Sequence, residues 1–146
     1  MAQQTLHFGD FHPGHRFPPA RYSISAADSD AFIRTFDHGP IRAELPATLP
    51  GVSSGAHTTR PVHPTLVGSF QSQHTAFAWP TGVLHAREKL RLSAPVYAGE
   101  ALESTVTVKD AYEKNGRKFV VLEILVRKLE NGVDALVVER TLVWPT

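Results

Sequence analysis

From residue 83 to residue 144 the chain runs in long stretches where apolar and polar side chains trade places, and the apolar ones are mostly Val, Leu and Ile with Thr interleaved. A period of two belongs to a strand, whose successive side chains point to opposite faces. The pattern predicts strands over Val83 to Leu92, Leu102 to Tyr112, Lys118 to Leu129 and Ala135 to Trp144. Asn115-Gly116 and Asn131-Gly132 fall between the last three. Asn-Gly tolerates the positive φ of a tight hairpin, so these three strands are expected to form an antiparallel meander. Strict alternation fails at Phe119-Val120-Val121-Leu122, which is apolar on both faces. Such a strand needs cover on both sides, and one helix supplies only one. A second subunit is the expected other cover, making the protein a dimer.

Upstream the period lengthens to that of a helix. Pro64 to Ala78 reads as the main helix, with Leu66, Val67, Phe70 and Phe77 on its apolar face and Pro64 in a first turn that has no use for its missing N–H. Gly68, Ser72 and Ala76 recur every four residues as a stripe of small side chains. That stripe lets the helix lie close on a sheet, or leaves room for a ligand's acyl chain. Ser25 stands as an N-cap with Asp28 three residues on, ahead of a short helix from Ala26 to Phe36 that turns Phe32, Ile33 and Phe36 inward. The first 24 residues are rich in Pro, Gly and His, with one strand-like stretch at Arg21 to Ile24, and Asp37 to Pro61 is a long irregular segment. Loops of that length in compact domains usually carry function or are disordered. One long helix wrapped by one antiparallel sheet is an α+β architecture, expected as a single domain over residues 1–146.

Composition narrows the chemistry. At 42% hydrophobic and 20% charged, with a formal charge of +1, the chain offers no basic footprint for nucleic acid. No apolar run approaches the roughly 18 residues of a membrane span, and Met1 to Asp10 lacks the layout of a signal peptide. A cytoplasmic location is the expectation. The absence of cysteine excludes disulfides, thiolate nucleophiles and cysteine zinc sites. The eight histidines, His7, His12 and His15 among them, form no recognised ligand pattern, so neither metal nor cofactor is expected. Serine-hydrolase elbows, Walker loops and dinucleotide fingerprints are also absent from the sequence.

Two segments carry a resemblance. Leu92-Ser-Ala-Pro95-Val96-Tyr-Ala-Gly99-Glu100-Ala-Leu102 is similar to the F-x-x-P-V-x-x-G-D-x-L passage of the MaoC-like hot-dog hydratases and dehydratases. Asp37-His38-Gly39-Pro40-Ile41-Arg42 and His63-Pro64-Thr65-Leu66 resemble that family's D-x-N-P-x-H and H-G-M-L segments. With the order of elements, the resemblance spans roughly residues 12 to 144. It implies a hot-dog domain that cradles an acyl thioester on CoA or acyl carrier protein, working as a homodimer or as a heterodimer with a related hot-dog chain.

The departures from the pattern matter for chemistry. Asp37 and Pro40 match, whereas the family's Asn is Gly39, its catalytic His is Arg42, and its helix-starting Gly is Pro64. Arginine holds its proton at neutral pH, with a pKa above roughly 12. Proline has no N–H to offer a thioester oxygen. The pattern is closest to the non-catalytic N-terminal half of fused or two-subunit members. The resemblance therefore implies a thioester-binding or partner subunit with a degenerate site. Asp37 and His38 are the catalytic candidates; Arg42, His63, Thr65 and Gly68 are the substrate-binding ones. Arg42 can pair with Asp37 or reach a CoA phosphate. The alternative is an active enoyl-CoA hydratase or 3-hydroxyacyl-thioester dehydratase using Asp37 and His38; an acyl-CoA thioesterase ranks third.

Overall fold

The computed structural model describes residues 4–36, 61–70, 77–78 and 80–145. Its centre is a five-stranded antiparallel sheet. The elements run β1 (Gln4–Thr5), a 3-10 turn (Phe8–Asp10), β2 (Ala20–Tyr22), α1 (Ala26–Thr35), α2 (Pro64–Phe70) and β3 (Phe77–Ala78). Four long strands follow: β4 (Leu84–Leu92), β5 (Leu102–Lys114), β6 (Arg117–Lys128) and β7 (Asp134–Trp144). The large sheet has the order β2-β5-β6-β7-β4, so the meander is present and β4 closes the far side against β7. A separate parallel pair joins β1 to β3.

On β5, β6 and most of β7 the alternation separates a buried face from a more exposed one. Val120, Leu122, Ile124 and Val126 on β6 are buried, as are Leu102, Val106 and Val108 on β5 and Leu136, Val138, Leu142 and Trp144 on β7. Burying each of these is worth about 1.5–3 kcal/mol, which fixes the register, because a one-residue slip would turn the whole set outward. On the opposite face of β6, Val121 and Leu125 are half-buried and Glu123 between them is exposed. Asn115 and Gly116 have φ of 53° and 71°, the left-handed pair that a two-residue hairpin requires. The second Asn-Gly works differently. Asn131 accepts the Val133 N–H on its side-chain oxygen at 3.1 Å, and Gly132 takes φ of 69° in a longer connection.

The capping of α1 follows the sequence with one change. Ser25 Oγ accepts the Asp28 N–H at 3.0 Å, but the Asp28 carboxylate takes the Ser25 hydroxyl at 2.7 Å instead of a backbone N–H. Phe32 and Ile33 are half-buried, whereas Phe36, expected inside, is 54% exposed just beyond the helix end.

The expected extent of the main helix needs correction. Phe77 and Ala78 are not its last turn but the strand β3, paired with Gln4 and Thr5. Their backbone groups go to the ladder with β1 instead of to a helix. The helix is described over Pro64–Phe70. Within it Gly68 is buried, and a Cβ there would come within 3.2 Å of Val138 Cγ2 and 3.5 Å of Leu136 Cδ2. The missing side chain is what lets α2 sit directly on β7. Ser72 and Ala76, the rest of the small-residue stripe, lie outside the described residues.

Candidate functional site

The start of α2 lies beside the end of α1. The ring of His63, the N-terminal neighbour of α2, packs 5.3 Å from that of Phe32, which in turn touches Phe36 at 4.7 Å. The segment leading into α2 is tied to the sheet side by the Val62 N–H, which donates to the Val96 carbonyl at 2.7 Å. Val96 belongs to the Pro95–Glu100 turn, whose Gly99 takes φ of 87° and donates its N–H to Ile24 at 2.9 Å. The turn, the lead-in to α1 and the lead-in to α2 are thereby held together.

The first turn of α2 keeps its hydrogen bonds to itself. Pro64 has no N–H. The Thr65 N–H donates to His63 Nδ1 at 3.2 Å. The N–H groups of Leu66 and Val67 both donate to the His63 carbonyl, at 2.9 and 3.2 Å. Positions 64 to 67 therefore present no free backbone donor. With Nδ1 accepting, the neutral His63 ring carries its proton on Nε2.

Two side chains fix the same helix further on. Tyr22 donates its hydroxyl to the Val67 carbonyl at 3.4 Å, and burial pushes this phenol above its ordinary range. Arg140 donates from Nη2 to the Gly68 carbonyl at 3.3 Å while its Nε holds Glu88 at 2.8 Å. His85 Nε2 lies 3.2 Å from the same carboxylate. A second ion pair steadies the Pro95–Glu100 turn: Lys128 Nζ reaches Glu100 Oε1 at 2.9 Å, and Glu100 Oε2 accepts the Tyr97 N–H at 2.7 Å.

Of the residues expected at the site, His63 and Thr65 are exposed and hydrogen-bonded to each other, and Gly68 is buried against β7. Asp37, His38 and Arg42 lie outside the described residues. Among the described residues, no three His, Cys, Asp or Glu side chains gather as a metal site, and no helix is long and apolar enough to cross a membrane. Sequence reasoning did not find the roles of Tyr22, Glu88, Glu100, Lys128 and Arg140. A signal existed for two of them, because Lys128 and Arg140 occupy inward positions in otherwise apolar alternations and so require buried partners.

A five-stranded antiparallel sheet with α2 laid across it is the hot-dog fold of the MaoC-like hydratases and dehydratases. No family model matches the sequence, and no curated protein matches it. Solved structures do match in shape. The R-hydratase PhaJ1 from Pseudomonas aeruginosa, in its unliganded form, is 22% identical over 97% of this chain and 87% of its own, with a TM-score of 0.69. A MaoC-like dehydratase from Rhodospirillum rubrum is 19% identical over 95% of this chain and 96% of its own, at 0.71. A chain of the C-terminally truncated HadBC complex, the 3R-hydroxyacyl-ACP dehydratase of Mycobacterium tuberculosis, is 16% identical over 90% of this chain and 96% of its own, at 0.63.

Proposed function

We propose that this chain is a MaoC-like acyl-thioester-binding protein of the cytoplasm that works beside a related hot-dog chain and performs little hydration alone. The observation that carries this reading is the closed first turn of α2. An oxyanion needs donors aimed at the place where charge develops, and here Pro64 has none while Thr65, Leu66 and Val67 have spent theirs on His63. Arg42 in place of a proton-transferring imidazole points the same way. The thioester assignment draws on the hydratase and dehydratase neighbours and on the Asp37 and Pro95–Glu100 segments; the partner draws on the HadBC complex. Asp37 keeps the acidic group of the family's D-x-N-P-x-H segment, and Arg42 is the candidate for a CoA phosphate.

Binding is tested by thermal unfolding with and without crotonyl-CoA at millimolar concentration. The melting temperature is expected to rise by a few degrees, which corresponds to occupancy well above Kd. Arg42→Ala should reduce that rise. An unchanged melting temperature in both proteins contradicts the assignment.

A further inference from the structure

The large sheet has two faces, and α2 lies on one of them, against Leu136 and Val138. The other, outer face carries an apolar row near the β5–β6 hairpin. Tyr112 stands opposite Phe119, Phe119 opposite Val143, and Val143 opposite Leu84, so the row crosses four strands. The rings of Tyr112 and Phe119 stack at 5.1 Å with 15° between their planes. Phe119 and Val143 are half-buried, while Tyr112 is 38% and Leu84 63% exposed. This row is the outer side of the segment Phe119 to Leu122, whose two apolar faces both call for cover.

The charges bordering the row decide what can lie on it. Toward the middle of the sheet the next outer row is Asp110, Val121, Thr141 and Arg87. The one after holds Glu123, Glu139 and Lys89, with Lys109 also on Glu139. On the hairpin side stand Lys114 and Arg117, opposite each other. Asp110, Lys114 and Arg117 are exposed, and Asp110 accepts the Ala111 N–H on one carboxylate oxygen at 2.8 Å. The apolar row thus has an acid on one flank and two bases on the other.

A second copy can lie face to face on this surface about a two-fold axis in one of two directions. An axis parallel to the strands sets each row on the same row of the partner. Whether that axis runs over β6, over β7 or between them, Glu123 or Glu139 then meets a glutamate of the other chain, and like charges oppose. An axis across the strands, along the apolar row, sets each strand on its own counterpart in reverse. Tyr112 and Phe119 then meet their own copies, and Asp110 meets Lys114 on both sides of the axis. The row of Glu123 and Glu139 lies beyond the overlap. This second arrangement pairs opposite charges around an apolar centre and sets no like charges directly against each other.

We infer that the outer face at the β5–β6 hairpin end receives the same face of a second copy, row on row, with Asp110 of each chain on Lys114 of the other. Three rows about 7 Å apart on four strands about 5 Å apart cover roughly 400 Å² per partner. A stable pair buries about 800 Å² per partner, so this contact is a weak one. The inference goes beyond the thioester reading and stands whether or not the chain binds CoA.

Sedimentation equilibrium at low salt, from about 10 μM to about 1 mM, tests it. Wild type is expected to gain mass over this range, with half-association near roughly 0.1 mM. Lys114→Glu sets a carboxylate against Asp110 and should weaken that step about tenfold, and Asp110→Lys should do the same with two ammonium groups. An equimolar mixture of the two variants should associate about as tightly as wild type, because each supplies the charge that the other lacks. High salt should shrink these differences. Tyr112→Ser should weaken the step at any salt, and it reads the same surface if a charge variant fails to fold. A mass that stays constant up to about 1 mM overturns the inference. So does a gain in mass that all three substitutions leave unchanged, which would put the second copy elsewhere, or a mixture no tighter than its components.

Discussion

Pro64→Gly combined with Arg42→His is expected to raise the rate of crotonyl-CoA hydration by at least about 10²-fold over wild type. Removing one oxyanion donor typically lowers rates by about 10²–10³, and removing a general acid–base group by about 10²–10⁴. Restoring both addresses one transition state, so the double variant should exceed either single change by more than their separate gains suggest. The structure explains why the glycine matters. The Thr65, Leu66 and Val67 N–H groups are already bound to His63, so position 64 is where a free donor can be introduced without breaking an existing bond. His63→Ala offers a control, since it releases the Thr65 N–H by a separate route. Loss of enoyl absorbance measures wild type, the two single variants, the double variant and His63→Ala. No gain in the double variant would mean that the closed first turn is not what limits catalysis.

Glu100→Ala should lower the unfolding free energy by roughly 2–3 kcal/mol. The Lys128 side chain is only 10% exposed, and its ammonium would be left in the sheet's inner layer without its anion. The Tyr97 N–H would also lose its acceptor. Adding Lys128→Met should recover part of the loss, because an apolar side chain of similar length suits the position below Val126 better than an unpaired charge. Denaturant titration of the single and double variants measures both effects. A Glu100→Ala protein within about 0.5 kcal/mol of wild type would show that the pair does not hold the turn.

The long strands were legible because half-buried strands must alternate, and Val, Leu and Thr do so from Leu84 to Trp144 with few interruptions. The first Asn-Gly marked its hairpin to the residue, for only such a pair accepts positive φ twice in succession. The helix end was misjudged. Phe77 continues the spacing of Leu66, Val67 and Phe70, yet pairing with Gln4 and Thr5 outweighs that periodicity. The ion pairs were illegible for another reason. Lys128 finds Glu100 across 28 residues and Arg140 finds Glu88 across 52, and only the strand order brings those partners together. At the candidate site, His63 and Pro64 could be read as a helix start, but a side chain capping its own helix through Thr65 depends on a ring orientation that Phe32 sets.

The central claim, binding of acyl thioesters with little hydration by this chain alone, is tested most directly by crotonyl-CoA turnover in the isolated wild-type protein and in Asp37→Asn. The account expects the enoyl absorbance to decay close to the rate in buffer, with Asp37→Asn indistinguishable from wild type. Brisk turnover by wild type that Asp37→Asn abolishes would contradict it. The chain would then be a competent hydratase, with His38 the first candidate for the missing acid.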